Sequence, residues 1–220
     1  MYSAQAKIGI EPTFFGKVMS FFALAVLSSA AGTYITHTYF FDYFIQTPAI
    51  MWIFFIVELA MIFTARIWST KSPLNKVLFV AFTFITGVTV APLIGVLAAS
   101  PDGTVIITKA LLATALTFSA AGIIGWTTKM NLSWMRTFLL FALVGMIVVG
   151  ILGFFIPWSS TTEMVYSGIG VLLFGAFAVY DFHNLKHYPE DRYIDAALAL
   201  YLDIFNLFLF ILRFIMASRD

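Results

Sequence analysis

The chain has 220 residues, of which 61% are hydrophobic and 10% charged, with 25 phenylalanines and a formal net charge of +1. A soluble domain carries about 25% charged residues, so the composition excludes a soluble fold and leaves no room for a separate soluble domain. Cysteine is absent, which excludes disulfides and thiolate metal centres; no nucleic-acid partner is expected.

A helix crosses a bilayer core of roughly 30 Å with about 20 apolar residues. The first fifteen residues, MYSAQAKIGIEPTFF, are mixed polar, and the apolar run after them is too long for the core of a cleavable signal, so none is expected. Seven spans follow in order: 17–40, 49–67, 77–99, 105–127, 137–156, 164–185 and 196–215. The breaks carry turn chemistry at Pro48, at Ser-Thr-Lys-Ser-Pro of 69–73, at Ser-Pro-Asp-Gly of 100–103, at Asn-Leu-Ser of 131–133 and at Pro157. The expectation is an all-α integral membrane protein, a single membrane domain whose surroundings are the lipid bilayer.

Basic residues set the orientation. Lys7, Lys17, Arg66, Lys71, Lys76, Lys129, Arg136, Lys186 and Arg192 fall on one set of span ends, while Asp42, Asp102 and Glu163 mark the other, with Lys109 the basic residue near them. The amino terminus is therefore predicted to be cytoplasmic. Seven spans place the carboxyl terminus outside, where Arg213 and Arg219 run against the rule.

Small residues recur at close-packing spacing: Ala121 and Gly125 in the fourth span, Gly145, Gly150 and Gly153 in the fifth, Gly168, Gly170 and Gly175 in the sixth. Such residues let helix backbones approach in lipid. The third span reads GVTVAPLIG, with Pro92 in its interior. A proline there removes a backbone hydrogen bond and kinks the helix, as a moving element or as packing.

The informative residues are acids inside the apolar runs. The last span, AALALYLDIFNLFLFILRFI, holds Asp203 about 12 Å along the axis from Asp195. Asp181 lies in VYDFHNLK, about one turn from the cytoplasmic end of the sixth span. Intramembrane acids are costly and have a partner or a water-filled cavity. The short connection between the two spans makes them antiparallel neighbours, so the two acids are expected either to share a proton and titrate as a pair or to be capped separately by Asn184 or Asn206. Glu58 is a third acid, in the second span. Arg66 either reaches the aspartates or marks the cytoplasmic interface. His183 and His187 stand four apart, a spacing compatible with a metal. No Walker, Rossmann, HExxH or GxSxG motif is present, and no enzymatic role is expected.

The segments AVYDFHNLK and AALALYLDIFNLFLFILRF, with GWTTKMNLS at 125–133 and FTFITGVTVAPLI in the third span, resemble the Bax inhibitor-1 family, also called transmembrane Bax inhibitor motif proteins, in its bacterial form. The resemblance implies a seven-helix bundle with the last helix at its centre, in a bacterial inner membrane. It also implies a pH-sensitive calcium leak governed by an aspartyl pair, which falls on Asp181 and Asp203, with calcium a transiently bound permeant ion and no cofactor. Glu58, Arg66 and Asn206 are accessory candidates. An arginine that some members place near the pair is matched here by Ser69. The alternative that the resemblance offers is a non-conducting regulator of a membrane protease such as FtsH, or of another membrane protein.

Overall fold

A computed structural model describes residues 13–219, apart from the side chain of Phe154. Lys7 and the rest of the amino-terminal segment lie outside the described residues. Among the described residues every regular element is helical: α1 (Phe14–Ile35), a π turn (Thr36–Phe40), α2 (Phe41–Gln46), α3 (Ala49–Phe63), α4 (Ala65–Trp68), α5 (Leu74–Ala98), α6 (Gly103–Thr127), α7 (Ser133–Phe155), α8 (Ser160–Asn184) and α9 (Tyr193–Ala217).

Among the described residues six helical stretches are long and apolar enough to cross a membrane, so this is an integral membrane protein. The first of them differs from expectation. It does not stop at residue 40 but continues through the π turn to Gln46, a run of 33 residues. The His37 and Phe41 side chains of this continuation pack on Gly95, where a Cβ would come within 2.3 Å of the Phe41 ring. The second expected span, 49–67, is divided. Its apolar helix α3 has 15 residues, about 22 Å of rise against a core of roughly 30 Å. The break falls at Thr64, whose hydroxyl and backbone N–H both donate to Ala60 O, at 2.7 and 3.0 Å, as the last bonds of α3. The α5 helix runs on through Pro92 without interruption.

The last helix occupies the middle of the bundle, with α1, α5, α6 and α8 packed around it. Its amino-terminal half is enclosed on all sides: Ala196, Ala197, Leu198, Leu200, Tyr201 and Asp203 are all buried. Burial thins to Leu207, Ile211 and Leu212 further along. By contrast α7 buries little besides Leu139 and Met146, and its remaining surface is apolar, as a lipid-facing helix requires.

Close backbone approach holds the bundle where the sequence offers glycine. A Cβ at Gly87 would lie 2.0 Å from Ser29 O, and one at Gly32 2.3 Å from Phe84 O, so α1 and α5 cross backbone to backbone. Ser28 donates to Val80 O at 3.1 Å and Thr33 to Gly87 O at 3.0 Å across that crossing. Gly125 meets Val179 O in the same way, joining α6 to α8, and Gly170 receives the Phe210 ring of α9. Gly145 and Gly175 meet nothing within 4 Å, so the small-residue pattern marks packing at Gly125 and Gly170 and not at these two. Gly125→Val is expected to lower the thermal stability of the detergent-solubilised protein by the equivalent of about 1–3 kcal/mol, because a carbonyl cannot yield as a side chain can. Gly175→Ala is expected to leave stability unchanged or raise it; equal losses from the two would remove the distinction.

The two ends of the bundle are tied differently. At one end Arg213 donates to Glu163 at 2.7 Å and Arg219 to Asp102 at 3.1 Å, so the two arginines that broke the charge rule face the acids of that end. At the other, aromatic pairs join Phe14 to Tyr188 and Phe15 to Trp126, while the Lys186 ammonium donates to Trp126 O and stands over its ring.

Candidate functional site

Asp181 lies on α8, three residues before its end at Asn184, and Asp203 lies on α9. The antiparallel packing of these helices sets the two carboxyls side by side, close enough for one, once protonated, to hydrogen-bond the other. Asp203 is 4% exposed, and its Oδ2 is buried without a hydrogen-bond donor from the protein. Two carboxylates in contact repel, and a buried charge without a donor is costly. The arrangement therefore calls for a shared proton or a cation between the pair.

The other residues singled out in the sequence fall elsewhere. Arg66 is exposed on α4 and makes no ion pair with either aspartate. Ser69 is fully buried with its hydroxyl unpartnered, in a turn closed by Asn75 Nδ2 donating to Ser69 O at 2.9 Å. Asn206 donates to Leu202 O on its own helix at 2.7 Å and so does not cap Asp203. The His183 and His187 rings lie 5.6 Å apart, and among the described residues no group of three or more metal-ligating His, Cys, Asp or Glu side chains is gathered.

Glu58 belongs to a separate network. It is 8% exposed and accepts from Thr89 Oγ1 at 2.9 Å. Thr86 O lies 3.0 Å from the same Thr89 Oγ1, whose one proton is shared between the two acceptors, and Thr86 Oγ1 accepts from the Tyr201 hydroxyl at 2.8 Å. This links α3 through α5 to α9, two residues from Asp203. Sequence reasoning missed the threonines, although Thr83, Thr86 and Thr89 recur every third residue on one face of α5.

Asn206 instead lines a cavity of about 860 Å³ at the end where Arg213 meets Glu163. Its walls are apolar at Leu93, Leu209 and Phe210 and polar at Ser159, Ser160 and Glu163. Asn206 is three residues beyond Asp203, about 4.5 Å along α9, so the cavity reaches from this end to within one helical turn of the aspartate pair. At the opposite end Tyr188 lies in the turn between α8 and α9. Burial raises its hydroxyl pKa above the ordinary tyrosine value, and the neighbouring carboxylates of Asp181 and Asp195 push the same way.

The family model described as "Inhibitor of apoptosis-promoting Bax1" matches residues 11–220. The chain belongs to the Bax inhibitor-1 family. Relatives in this family include an uncharacterized protein of Campylobacter jejuni, 30% identical over 211 residues, covering 96% of this chain and 89% of that one. The mouse protein lifeguard 4 is 31% identical over 219 residues, covering 97% and 89%. The vaccinia virus Golgi anti-apoptotic protein is 31% identical over 221 residues, covering 98% and 90%. In this Bax inhibitor-1 family chain, two of the four segments that carried the resemblance, 178–186 and 196–214, lie at the end of α8 and on α9 and hold Asp181 and Asp203.

Proposed function

We propose that this chain is a calcium leak whose conductance follows the protonation of Asp181 and Asp203. The observation that carries the reading is the pair itself: two carboxyls side by side inside a membrane bundle, one with a buried oxygen that no protein donor satisfies. Protonated, the pair is neutral and one acid can donate to the other, holding α8 against α9. Deprotonated, it repels itself and attracts a cation. Calcium is a hard ion that takes oxygen ligands, about six to eight of them, and two carboxylates supply too few for tight storage. Brief occupancy suits passage. The cavity ending at Asn206 supplies an approach from the end of Glu163 and Arg213.

Flux should therefore rise as pH rises through the titration of the pair and fall as the pair is protonated. Calcium entry into proteoliposomes, compared with protein-free vesicles across pH, tests this; entry indistinguishable from the protein-free control at every pH refutes conduction. The alternative, a non-conducting regulator of a membrane protease such as FtsH or of another membrane protein, is favoured by one observation, the anti-apoptotic description of the vaccinia relative, and predicts that second result.

The same reading places the amino terminus in the cytoplasm of a bacterium and the protein in its inner membrane. Reporters fused after Lys71, Met130 or His187 are expected to read cytoplasmic, and those after Asp102 or Ser160 external. An external signal at His187 would reverse the direction from which the aspartates are reached.

A further inference from the structure

The turn that joins α8 to α9 does more than reverse the chain. Lys186 is fixed to the end of α6 through Trp126, both by its hydrogen bond to the carbonyl and by its position 5.4 Å from the ring centroid. Pro189 holds the other side. A residue before proline is driven to extended backbone, and Tyr188 has φ −72° and ψ 138°. The chain thus leaves α8 in a fixed direction, with Tyr188 seated inward. Its ring stacks on Phe14, the first residue of α1, with centroids 6.3 Å apart, and packs against the main apolar core. Its hydroxyl lies within electrostatic reach of Asp181, Asp195, Tyr180 and Arg136. These groups come from α8, from the start of α9 and from the start of α7. Tyr188 therefore occupies the point where four helices end, between the aspartate pair and the cytoplasmic surface.

We propose that Tyr188 is the inner gate of the site: its ring, seated on Phe14, closes the cytoplasmic approach to Asp181 and Asp203. The ring does the closing, and the hydroxyl only lets a bulky side chain sit among charged neighbours. Because the seat is Phe14, displacement of the start of α1 would open the same approach. The proposal rests on the reading of the pair as the ion site, but its test does not depend on conduction.

The test is the rate at which a water-soluble carbodiimide with an amine nucleophile modifies Asp181 in the full-length, detergent-solubilised protein, read by mass spectrometry against the exposed Glu190 as internal standard. Tyr188→Ala is expected to accelerate modification of Asp181 on the order of tenfold, equivalent to about 1.4 kcal/mol of lost closure. Tyr188→Phe should stay near the wild-type rate. Phe14→Ala should accelerate modification as well, and it provides the decisive variant if Tyr188→Ala does not fold. Lowered thermal stability with unchanged Asp181 modification, in whichever of the two alanine variants folds, would make the ring a packing residue and overturn the gate. Faster modification in a protein that shows no calcium flux would uphold the gate and refute the leak.

Discussion

Asp203→Asn is expected to abolish most of the pH dependence of calcium flux while leaving the bundle folded. The amide is nearly the shape of the acid, can still donate to Asp181, and removes the charge that repels it. Asp181→Asn should give the same flattened profile from the other helix. The double variant should add little to either, because two acids that share a proton titrate as one unit. The effects of distant, independent sites would add instead. The sign follows from which state is charged. Below the titration range the wild-type pair is neutral and α8 and α9 stay together, so single variants and wild type should conduct alike. Above it the wild type carries the charge that draws calcium and the variants carry less, so the profiles diverge with rising pH. Single variants that each keep the wild-type profile would remove the pair from the mechanism.

The second large effect is expected at Thr89. It gives Glu58 its side-chain hydrogen bond, at 2.9 Å, and Glu58 is the buried residue of α3, a helix that packs chiefly on α5. Thr89→Val leaves a buried carboxyl oxygen without that donor, at a cost of about 1–3 kcal/mol or more. The loss should be local. Hydrogen exchange in α3 should quicken while the α8–α9 interface stays protected. Adding Glu58→Leu to Thr89→Val makes both positions apolar, and replacing both partners is close to neutral where removing one is not. Most of the lost stability should therefore return in the double variant. A Thr89→Val protein with wild-type stability and wild-type exchange in α3 would show that the bond holds nothing.

What could be read from the sequence was what depends on local pattern. Of the seven apolar runs read between turn-forming residues, six coincide with the helices that are long and apolar enough to cross a membrane among the described residues, because a span is specified by length and hydropathy alone. Asp181 and Asp203 could be paired on paper because the connection between their helices is short, which forces antiparallel contact at a depth that can be counted in turns. The second span was read as one helix, whereas the chain turns at Thr64 between α3 and α4. The first span was cut short because the polar run Thr-His-Thr-Tyr at 36–39 looks like an exit, whereas the helix passes through it as a π turn and leans on Gly95. Glu58 was visible as an intramembrane acid, but its partner was not. The choice between Arg66, eight residues along the chain, and Thr89, on another helix, is made by tertiary packing. Tyr188 and the cavity at Asn206 were invisible for the same reason, since each is made by the ends of several helices.

The central claim is that protonation of one carboxyl pair and calcium passage are the same event, and the direct measurement is to follow both in one preparation. Infrared difference spectroscopy reads the carbonyl stretch of a protonated carboxylic acid, and calcium entry into the same proteoliposomes reads conduction. The account predicts that the carboxylic band is lost and flux appears over one shared pH range, and that the band change is altered in both Asp181→Asn and Asp203→Asn. Flux that varies with pH while the band stays constant, or a band that titrates while flux stays flat, would contradict it.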